Sequence, residues 1–251
     1  MSRHFSPPDR SALQLTAHEA EYKPHNRQFV QDYSSIRESR TNIVFPELAN
    51  LLQSVQANSV LDYGGGDGTF LKMLAENNFE NLHYYDISKD MRSAARSRLR
   101  ETGVRIHADT SKIPHQFFDA VTMIAVWMEF ASESIALENI RLIHNALHRS
   151  GHFFAVVTHP CFREEAYGTF KANFNNDDYL RDGDSFNVAV FDGEKSVTFK
   201  DYHWNFTAMT RQADSCGFLL KRIYELGEKS ESGSYKRGAP WAMLHFIKSD
   251  E

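Results

Sequence analysis

The glycine-rich stretch at residues 60–68 restricts the fold more than any other part of this sequence. It reads Val-Leu-Asp-Tyr-Gly-Gly-Gly-Asp-Gly, so an apolar strand runs directly into four glycines within five positions. Glycine permits a sharp turn and lets the backbone approach a ligand closely. The helical pattern that follows would offer free N–H groups at its amino terminus. The stretch therefore predicts a strand–loop–helix unit that binds a nucleotide-like molecule, in preference to a tight turn without a ligand.

Short apolar runs alternate with amphipathic segments around this unit. Strands are predicted at 59–63, 82–85, 104–107, 120–126 and 152–158, and helices at 69–76, 88–100 and 132–148. Ser88 is expected to cap the second of these helices, and Gly151 to end the third. This order is typical of an α/β fold with a parallel sheet and helices on both faces.

This alternation of strands and helices stops after Pro160 and resumes near the carboxyl terminus. Strands at 186–191 and 196–202 around Asp192-Gly193 predict a hairpin. A helix at 207–215 and strands at 218–225 and 242–248 are expected to close the sheet, with the last strand antiparallel. We therefore expect one α/β domain with a seven-stranded, mostly parallel sheet and an insertion after the fifth strand.

The chain divides into four parts on this pattern. Residues 1–55 are an expected arm and cover helices, 56–160 the binding core, 161–205 an inserted lid, and 206–251 the end of the sheet. The lid region is rich in aromatic residues: Phe162, Tyr167, Phe170, Phe174, Tyr179, Phe186, Phe191, Phe199, Tyr202, Trp204 and Phe206. Some of these rings are expected to line an apolar pocket, and the alternative is that they pack a small core of the lid itself.

The glycine stretch does not fit the common phosphate-binding loops. In a dinucleotide fingerprint counted from Gly64 and Gly66, Thr69 occupies the place of the third glycine, and the P-loop lysine is also missing. The loop instead carries Asp62 and Asp67, which suit a ligand with a cationic amine and no phosphate.

The same residues resemble the first motif of the Rossmann-like S-adenosylmethionine (SAM)-dependent methyltransferases. Their motif is an apolar strand, an acid and then G-x-G-x-G, and residues 62–68 match it. The resemblance implies that Asp62 lies under the methionine amino group and that Gly64 and Gly66 pass against the cofactor. It also implies that Asp86 binds the ribose hydroxyls. Asp109 would bind the adenine amino group, and a helix N-cap is its alternative role.

The resemblance implies further cofactor contacts near these positions. The loop 126–130 is expected to pass beside the sulfonium, and Arg40 and Tyr33 to reach the methionine carboxylate or the acceptor. Helix-surface packing and charge are the alternative roles of these two residues. The remaining expected cofactor residues are Tyr63, Gly65, Ile87, Met91, Thr110, Val126 and Trp127.

Three residues are candidates for catalysis. Methyl transfer needs alignment and exclusion of water, and a base only where the acceptor must lose a proton. His159 follows the fifth strand, His203 lies at the end of the lid, and Glu129 follows the fourth strand. Glu129 is alternatively expected to bind an amine or hydroxyl of the substrate.

Composition bears on the acceptor and on location. The formal net charge of -5 and the sequence Trp-Met-Glu-Phe at 127–130 argue against nucleic acid as the substrate. The two cysteines lack metal-ligand spacing, no run is long enough for a membrane span, and no apolar leader is present, so a cytoplasmic monomer or homodimer without a metal is expected. We expect a small-molecule methyltransferase. The alternatives are a protein methyltransferase and a SAM-binding regulator without activity.

Overall fold

A computed structural model describes Val30 and residues 40–163, 167, 170–192, 195–227 and 239–249. The strands are β1 (Val60–Tyr63), β2 (Leu82–Tyr85), β3 (Arg105–His107), β4 (Phe118–Ile124), β5 (Leu147–Thr158), β6 (Phe170–Asn173), β7 (Ser185–Asp192), β8 (Lys195–Tyr202), β9 (Phe218–Leu226) and β10 (Trp241–Lys248). The α-helices are α1 (Phe45–Ser54), α2 (Thr69–Glu76), α3 (Lys89–Arg98), α4 (Glu133–Ala146) and α5 (Phe206–Asp214). No helix in these ranges is long and apolar enough to cross a membrane.

Seven strands form one sheet in the order β3-β2-β1-β4-β5-β10-β9. Strands β1 to β5 pair in parallel, and β10 is antiparallel to both of its neighbours. The predicted α/β class with a mostly parallel sheet is therefore confirmed. The strand order reverses between β1 and β4, and ligands of open α/β sheets bind in the crevice at such a point.

The two faces of the sheet carry different residues of the same strand. Asp62 pairs with Thr122 of β4 and bonds to its hydroxyl, so both side chains share one face. Tyr63 points to the other face, where its hydroxyl donates to Asn139 of α4 at 2.6 Å. Because parallel crossovers are right-handed, α2 and α3 cover the Asp62 face while α4 covers the Tyr63 face.

Helix α4 ends earlier than the sequence predicts, and Gly151 does not end it. The helix stops at Ala146, and β5 begins at Leu147 because this residue already pairs with Phe118 of β4. The ammonium of Lys248 donates to the carbonyl oxygens of His144 and Leu147 at 2.7 and 2.8 Å. A lysine from the last strand therefore satisfies carbonyls at the end of this helix. The expected N-cap at Ser88 is confirmed, since its hydroxyl accepts from Met91 N.

The insertion is a second, antiparallel sheet in the order β6-β7-β8. The predicted hairpin is confirmed, and β6 adds a strand that the sequence did not indicate. Phe186 and Val188 form a small core of the insertion together with Ala172. Phe174 and Phe199 also pack in this small core, whereas Tyr167, Phe170, Trp204 and Phe206 pack against the main core, which neither expectation included.

Candidate cofactor and acceptor site

The glycine loop has a backbone that only glycine adopts readily. Gly64 and Gly66 have φ angles of +77° and +55°. A Cβ at Gly64 would lie 2.4 Å from the Val126 side chain, so the loop packs directly against the end of β4. A Cβ at Gly66 would meet no atom within 4 Å. The loop is thus closely packed at Gly64, while the side of Gly66 where a Cβ would stand is open.

Hydrogen bonds tie this loop to the end of β2. Gly64 N donates to Tyr85 O at 2.7 Å, and Gly66 N donates to Asp86 Oδ2 at 2.8 Å. The Tyr84 hydroxyl donates to the carbonyl oxygen of Gly66. These contacts hold the loop against the end of β2.

A cleft opens beside the loop. The residues that line it come from the segment before α1, the glycine loop, α2 and β4: Arg40, Thr41, Phe45, Asp62, Gly64, Gly65, Gly66, Asp67, Thr69, Phe70 and Ile124.

Asp62 places a buried carboxyl at the cleft. Its side chain is 2% exposed, and Thr122 Oγ1 donates to it at 2.8 Å. Burial, together with the nearby carboxyl of Asp86, raises the pKa of Asp62 to about 7. A cationic amine beside Asp62 would therefore stabilise its ionised form.

Asp86 lies at the carboxyl end of β2. Its two oxygens accept from Gly66 N and from Ser88 N at 2.8 and 2.7 Å. Burial raises its pKa to about 6 although both N–H groups favour the carboxylate. Each carboxylate oxygen has a further lone pair, which suits the two hydroxyls of a diol.

Asp67 does not act in the way that the sequence suggested. Its carboxylate accepts from Thr69 N and Oγ1 at the first residue of α2, and it pairs with Arg98 at 2.8 Å. The charge of this loop acid is therefore balanced within the protein, and Asp62 is the acid left for a cationic ligand.

Asp109 has the N-cap role that was its alternative. Its carboxylate accepts from the backbone and hydroxyl of Ser111 at the start of a 3₁₀ turn, in which Thr110 is the first residue. The contact of Asp109 with the adenine amino group stays a prediction. Nearby, Met91 is buried and Ile87 is half-buried.

Two of the expected cofactor residues have side chains in the core. Trp127 is fully buried, stacks on Phe153 and donates to Gln212 Oε1 at 3.0 Å. Tyr63 is bonded to α4 on the opposite face from Asp62, as described above. Their aromatic side chains cannot contact a ligand in the cleft, because strand alternation and the turn after β4 direct them into the core. Any contact must come from their backbone.

The segment before α1 contributes two polar residues to the cleft. Arg40 begins a five-residue π-helical stretch, Arg40–Val44, and lines the cleft, while its contact with the methionine carboxylate or the acceptor stays a prediction. Thr41 was not expected there, and its buried hydroxyl has no hydrogen-bond partner among the described residues. Tyr33 lies outside the described residues.

His159 is engaged on both ring nitrogens. Its Nδ1 accepts from Cys161 N at 3.2 Å, and its Nε2 lies 3.4 Å from Glu225 Oε1 on β9. The ring packs against Phe162 and Phe206. Burial lowers the pKa of this imidazole. With both nitrogens occupied inside the protein, the arrangement does not favour His159 as a base.

His203 is likewise held inside the insertion. Arg163 donates to its Nδ1, and its Nε2 donates to Tyr179 O at 2.8 Å. The ring stacks on Phe174 at 4.4 Å. Burial and the neighbouring guanidinium lower the pKa of His203 to about 4. The histidine is a neutral structural link, because no nitrogen remains to accept a proton.

Glu129 is the third candidate and differs from both histidines. It ends the 3₁₀ turn Trp127–Glu129 after β4 and is half-buried. Burial, then Asp201, then Asp86 raise its pKa well above the usual value. An acid of the main domain and an acid of the insertion therefore both act on Glu129.

Comparison with known proteins agrees with this geometry. Residues 61–155 match a family model described as a methyltransferase domain. This part of the chain is therefore similar to a methyltransferase domain. A search of curated proteins found no match.

Solved structures of methyltransferases share the fold over most of the chain. A SAM-dependent methyltransferase from Clostridium acetobutylicum ATCC 824 has a TM-score of 0.60 at 14% identity, covering 87% of this chain and 98% of its own. One from Methanosarcina mazei has a TM-score of 0.60 at 16% identity, covering 80% and 98%. The CcbJ methyltransferase from Streptomyces caelestis has a TM-score of 0.58 at 13% identity, covering 80% and 94%.

The cofactor of this methyltransferase class, SAM, fits the groups that line the cleft. Asp62 offers a buried carboxyl for the ammonium, and Arg40 and the unpartnered Thr41 hydroxyl lie in the same cleft for the carboxylate. Asp86 stands at the other side of the glycine loop for the ribose. Sequence reasoning missed Thr41, because an isolated threonine before a helix has no distinguishing pattern.

Proposed function

We propose that this methyltransferase moves the methyl group of SAM to an oxygen, nitrogen or carbon atom of a small molecule. The supporting observation is the pair Asp62 and Asp86 at the two sides of a rigid glycine loop. One acid suits an ammonium and the other a diol, and no basic residue of the loop is arranged for a phosphate. SAM supplies an electrophilic methyl group on a sulfonium.

The protein's part in such a transfer is binding and alignment. The acceptor atom forms a bond to the methyl carbon while the carbon–sulfur bond breaks, and its electron pair stays on sulfur. Asp62 and Asp86 would hold the ammonium and the ribose of the donor, and the donor would supply an electrophilic methyl group. Any proton lost by the acceptor passes to a neighbouring carboxylate or to water.

The insertion supports a small acceptor. Trp204 Nε1 donates to Phe130 O at 3.0 Å, which joins the insertion to the loop after β4. Phe170 packs on Trp241 at 5.7 Å, which joins its first strand to the main sheet. Cover over the carboxyl ends of the strands excludes water and limits the size of the acceptor. The aromatic content alone does not support an apolar pocket, because many of these rings contact one another.

Calorimetric titration tests the cofactor part of the proposal. The protein should bind SAM and S-adenosylhomocysteine (SAH) and not NAD. Asp86→Asn should weaken SAH binding about ten-fold or more, because hydrogen bonds to a charged group contribute about 1.5–3 kcal/mol. Asp214→Asn changes an exposed acid at the end of α5 and serves as the control. Absence of SAM and SAH binding by the folded protein would contradict the proposal.

Methyl transfer itself separates an enzyme from a regulator that only binds SAM. Incubation with methyl-labelled SAM and a library of small amines, phenols and carboxylates should release SAH and label one acceptor class. A protein extract as acceptor tests the alternative. Labelling of protein and of no small molecule would exclude the small-molecule acceptor.

A further inference from the structure

One buried acid of the insertion forms no ion pair within the part of the chain that the structure describes. In the antiparallel pair of β7 and β8, Phe186 lies opposite Asp201 and Val188 opposite Phe199. Residues that pair in this way share a face of the sheet. Phe186 and Val188 are buried, and Asp201 is 2% exposed, so this face of the insertion is its inner face. The carboxyl of Asp201 therefore points inward, from the same face as the core of the insertion.

The carboxyl of Asp201 is not satisfied within the described chain. Its buried Oδ1 has no hydrogen-bond partner among the described residues. Arg163 is the cation that acts on it electrostatically, but its Nη1 donates to His203 and its guanidinium lies 4.7 Å from the Phe186 ring. Between residues 195–227 and 40–163, no ion pair joins Arg163 to Asp201. A buried carboxylate without a partner is costly, and a ligand that brings a donor removes that cost.

Glu129 approaches the same space from the main domain. Strand β8 packs against the 3₁₀ turn that ends at Glu129. The bond from Trp204 to Phe130 fixes this approach one residue further along the loop. The carboxyls of Asp201 and Asp86 both raise the pKa of Glu129. Glu129 and Asp201 thus belong to the two segments that meet where the insertion packs on the turn after β4.

We propose that Glu129 and Asp201 form the acceptor site and that the acceptor presents an amine to both carboxyls. This inference rests on the proposed methyltransferase function and assigns its acceptor class. An ammonium supplies several N–H donors, including one for Asp201 Oδ1, and a positive charge between the two carboxyls. An alcohol supplies one donor and no charge, and a carboxylate would be repelled.

The transfer to such an acceptor balances without any further reactant. The bound ammonium gives one proton to a carboxylate of the pair and becomes a nucleophilic amine. Its lone pair forms the bond to the methyl carbon as the carbon–sulfur bond breaks, and the sulfur keeps that electron pair. The resulting N-methylammonium leaves, and the carboxyl releases its proton to water. Both side chains act on the acceptor, and neither is needed for holding the donor.

Matched amines and alcohols test this assignment by calorimetry on the full chain saturated with SAH. The probe pairs are 2-phenylethylamine with 2-phenylethanol and tryptamine with tryptophol. We expect at least one amine to bind about ten-fold more tightly than its alcohol. Asp201→Asn and Glu129→Gln should each reduce this preference about ten-fold, while SAH affinity stays within two-fold. Asp177→Asn, at an exposed position of the insertion, should change nothing.

The outcomes distinguish the two proposals. If SAH does not bind the wild-type protein, the methyltransferase function fails, and the acceptor assignment fails with it. If SAH binds but no amine exceeds its alcohol, or if both variants keep the preference, the acceptor assignment alone is overturned. It is also overturned if the variants weaken SAM but not SAH or the amines, because the acids would then serve the sulfonium. Glu129→Gln keeps the test decisive if Asp201→Asn does not fold.

Discussion

The glycine loop and the insertion both bury acids, and they treat them differently. At the loop, the carboxylates of Asp62 and Asp86 accept hydrogen bonds from groups of the same domain. In the insertion, Asp201 is as buried as Asp62, but its Oδ1 has no partner in the described chain, while Arg163 donates to His203. The acids at the loop are thus held by hydrogen-bond donors of the protein itself. The buried acid of the insertion leaves one oxygen for a donor of the proposed acceptor.

The largest expected effect on stability and cofactor binding comes from adding a side chain at Gly64. In Gly64→Ala, the new Cβ would lie 2.4 Å from Val126 at a φ of +77°. Left-handed strain and overpacking together should cost about 2–5 kcal/mol, which lowers the Tm by about 5–15 °C. SAH binding should fall by about two orders of magnitude or more, because the loop must shift.

Gly103→Ala is the matched control for this loop variant. Gly103 has a φ of +73°, and a Cβ there meets nothing within 4 Å. Backbone strain alone should lower the free energy of unfolding of this variant by about 1–2 kcal/mol, and its SAH affinity should not change. Equal effects of the two variants on SAH binding would show that packing against Val126 does not matter.

The second test breaks the insertion and should leave the cofactor side intact. Arg163→Met removes the donor to His203 and leaves Asp201 without its nearest cation. Loss of one partner from a buried charged group should cost about 3 kcal/mol, or about 6–12 °C in Tm. SAH affinity should stay within two-fold. Thermal denaturation with and without SAH measures both effects, and a large loss of SAH affinity would mean that the two regions are coupled.

The contrast between these regions also explains what the sequence could predict. The glycine loop, Asp62 and Asp86 follow strands directly, so their positions at one edge of the sheet come from local pattern and topology. The inward direction of Trp127 depends on how the turn after β4 packs. The role of Lys248 at the end of α4 depends on a partner 104 positions away. No local pattern encodes such contacts.

The insertion shows the same limit more strongly. Its hairpin was predicted from turn residues and alternation, and the structure confirms it. The partner of His203 is Arg163, 40 positions earlier, and only the folded insertion brings them together. Asp201 belongs to no sequence motif. It stands out only in the structure, where it is buried and its Oδ1 has no hydrogen-bond partner among the described residues. His159 and His203 were candidates for catalysis, whereas the structure engages both ring nitrogens of each histidine in polar contacts within the protein.

The pH dependence of SAM affinity is a third test of the difference between the glycine loop and the insertion, and its expected effect is of intermediate size. The pKa values of Asp62 and Asp86 are raised to about 7 and about 6, so both carboxyls gain charge as pH rises from 5.5 to 7.5. The cationic donor binds the ionised form better, so its affinity should rise about ten-fold over this range. Calorimetry at several pH values should show the rise in wild type and a smaller one in Asp62→Asn. Asp201→Asn should keep the full rise, although the pKa of Asp201 is also raised to about 7. A flattened profile in that variant would place Asp201 at the donor.

The smallest expected effect separates the two roles of Asp109. Asp109→Ser keeps an N-cap hydroxyl for Ser111 N and removes the carboxylate, so the Tm should not change. If the carboxylate accepts from the adenine amino group, SAH affinity should fall about three- to ten-fold. The analogue with hypoxanthine in place of adenine lacks that amino group. Wild type should bind it about ten-fold more weakly than SAH, whereas Asp109→Ser should bind the two within about two-fold. Equal discrimination by both proteins would leave Asp109 with the cap alone, and the acids that hold the donor would then be the two that border the glycine loop.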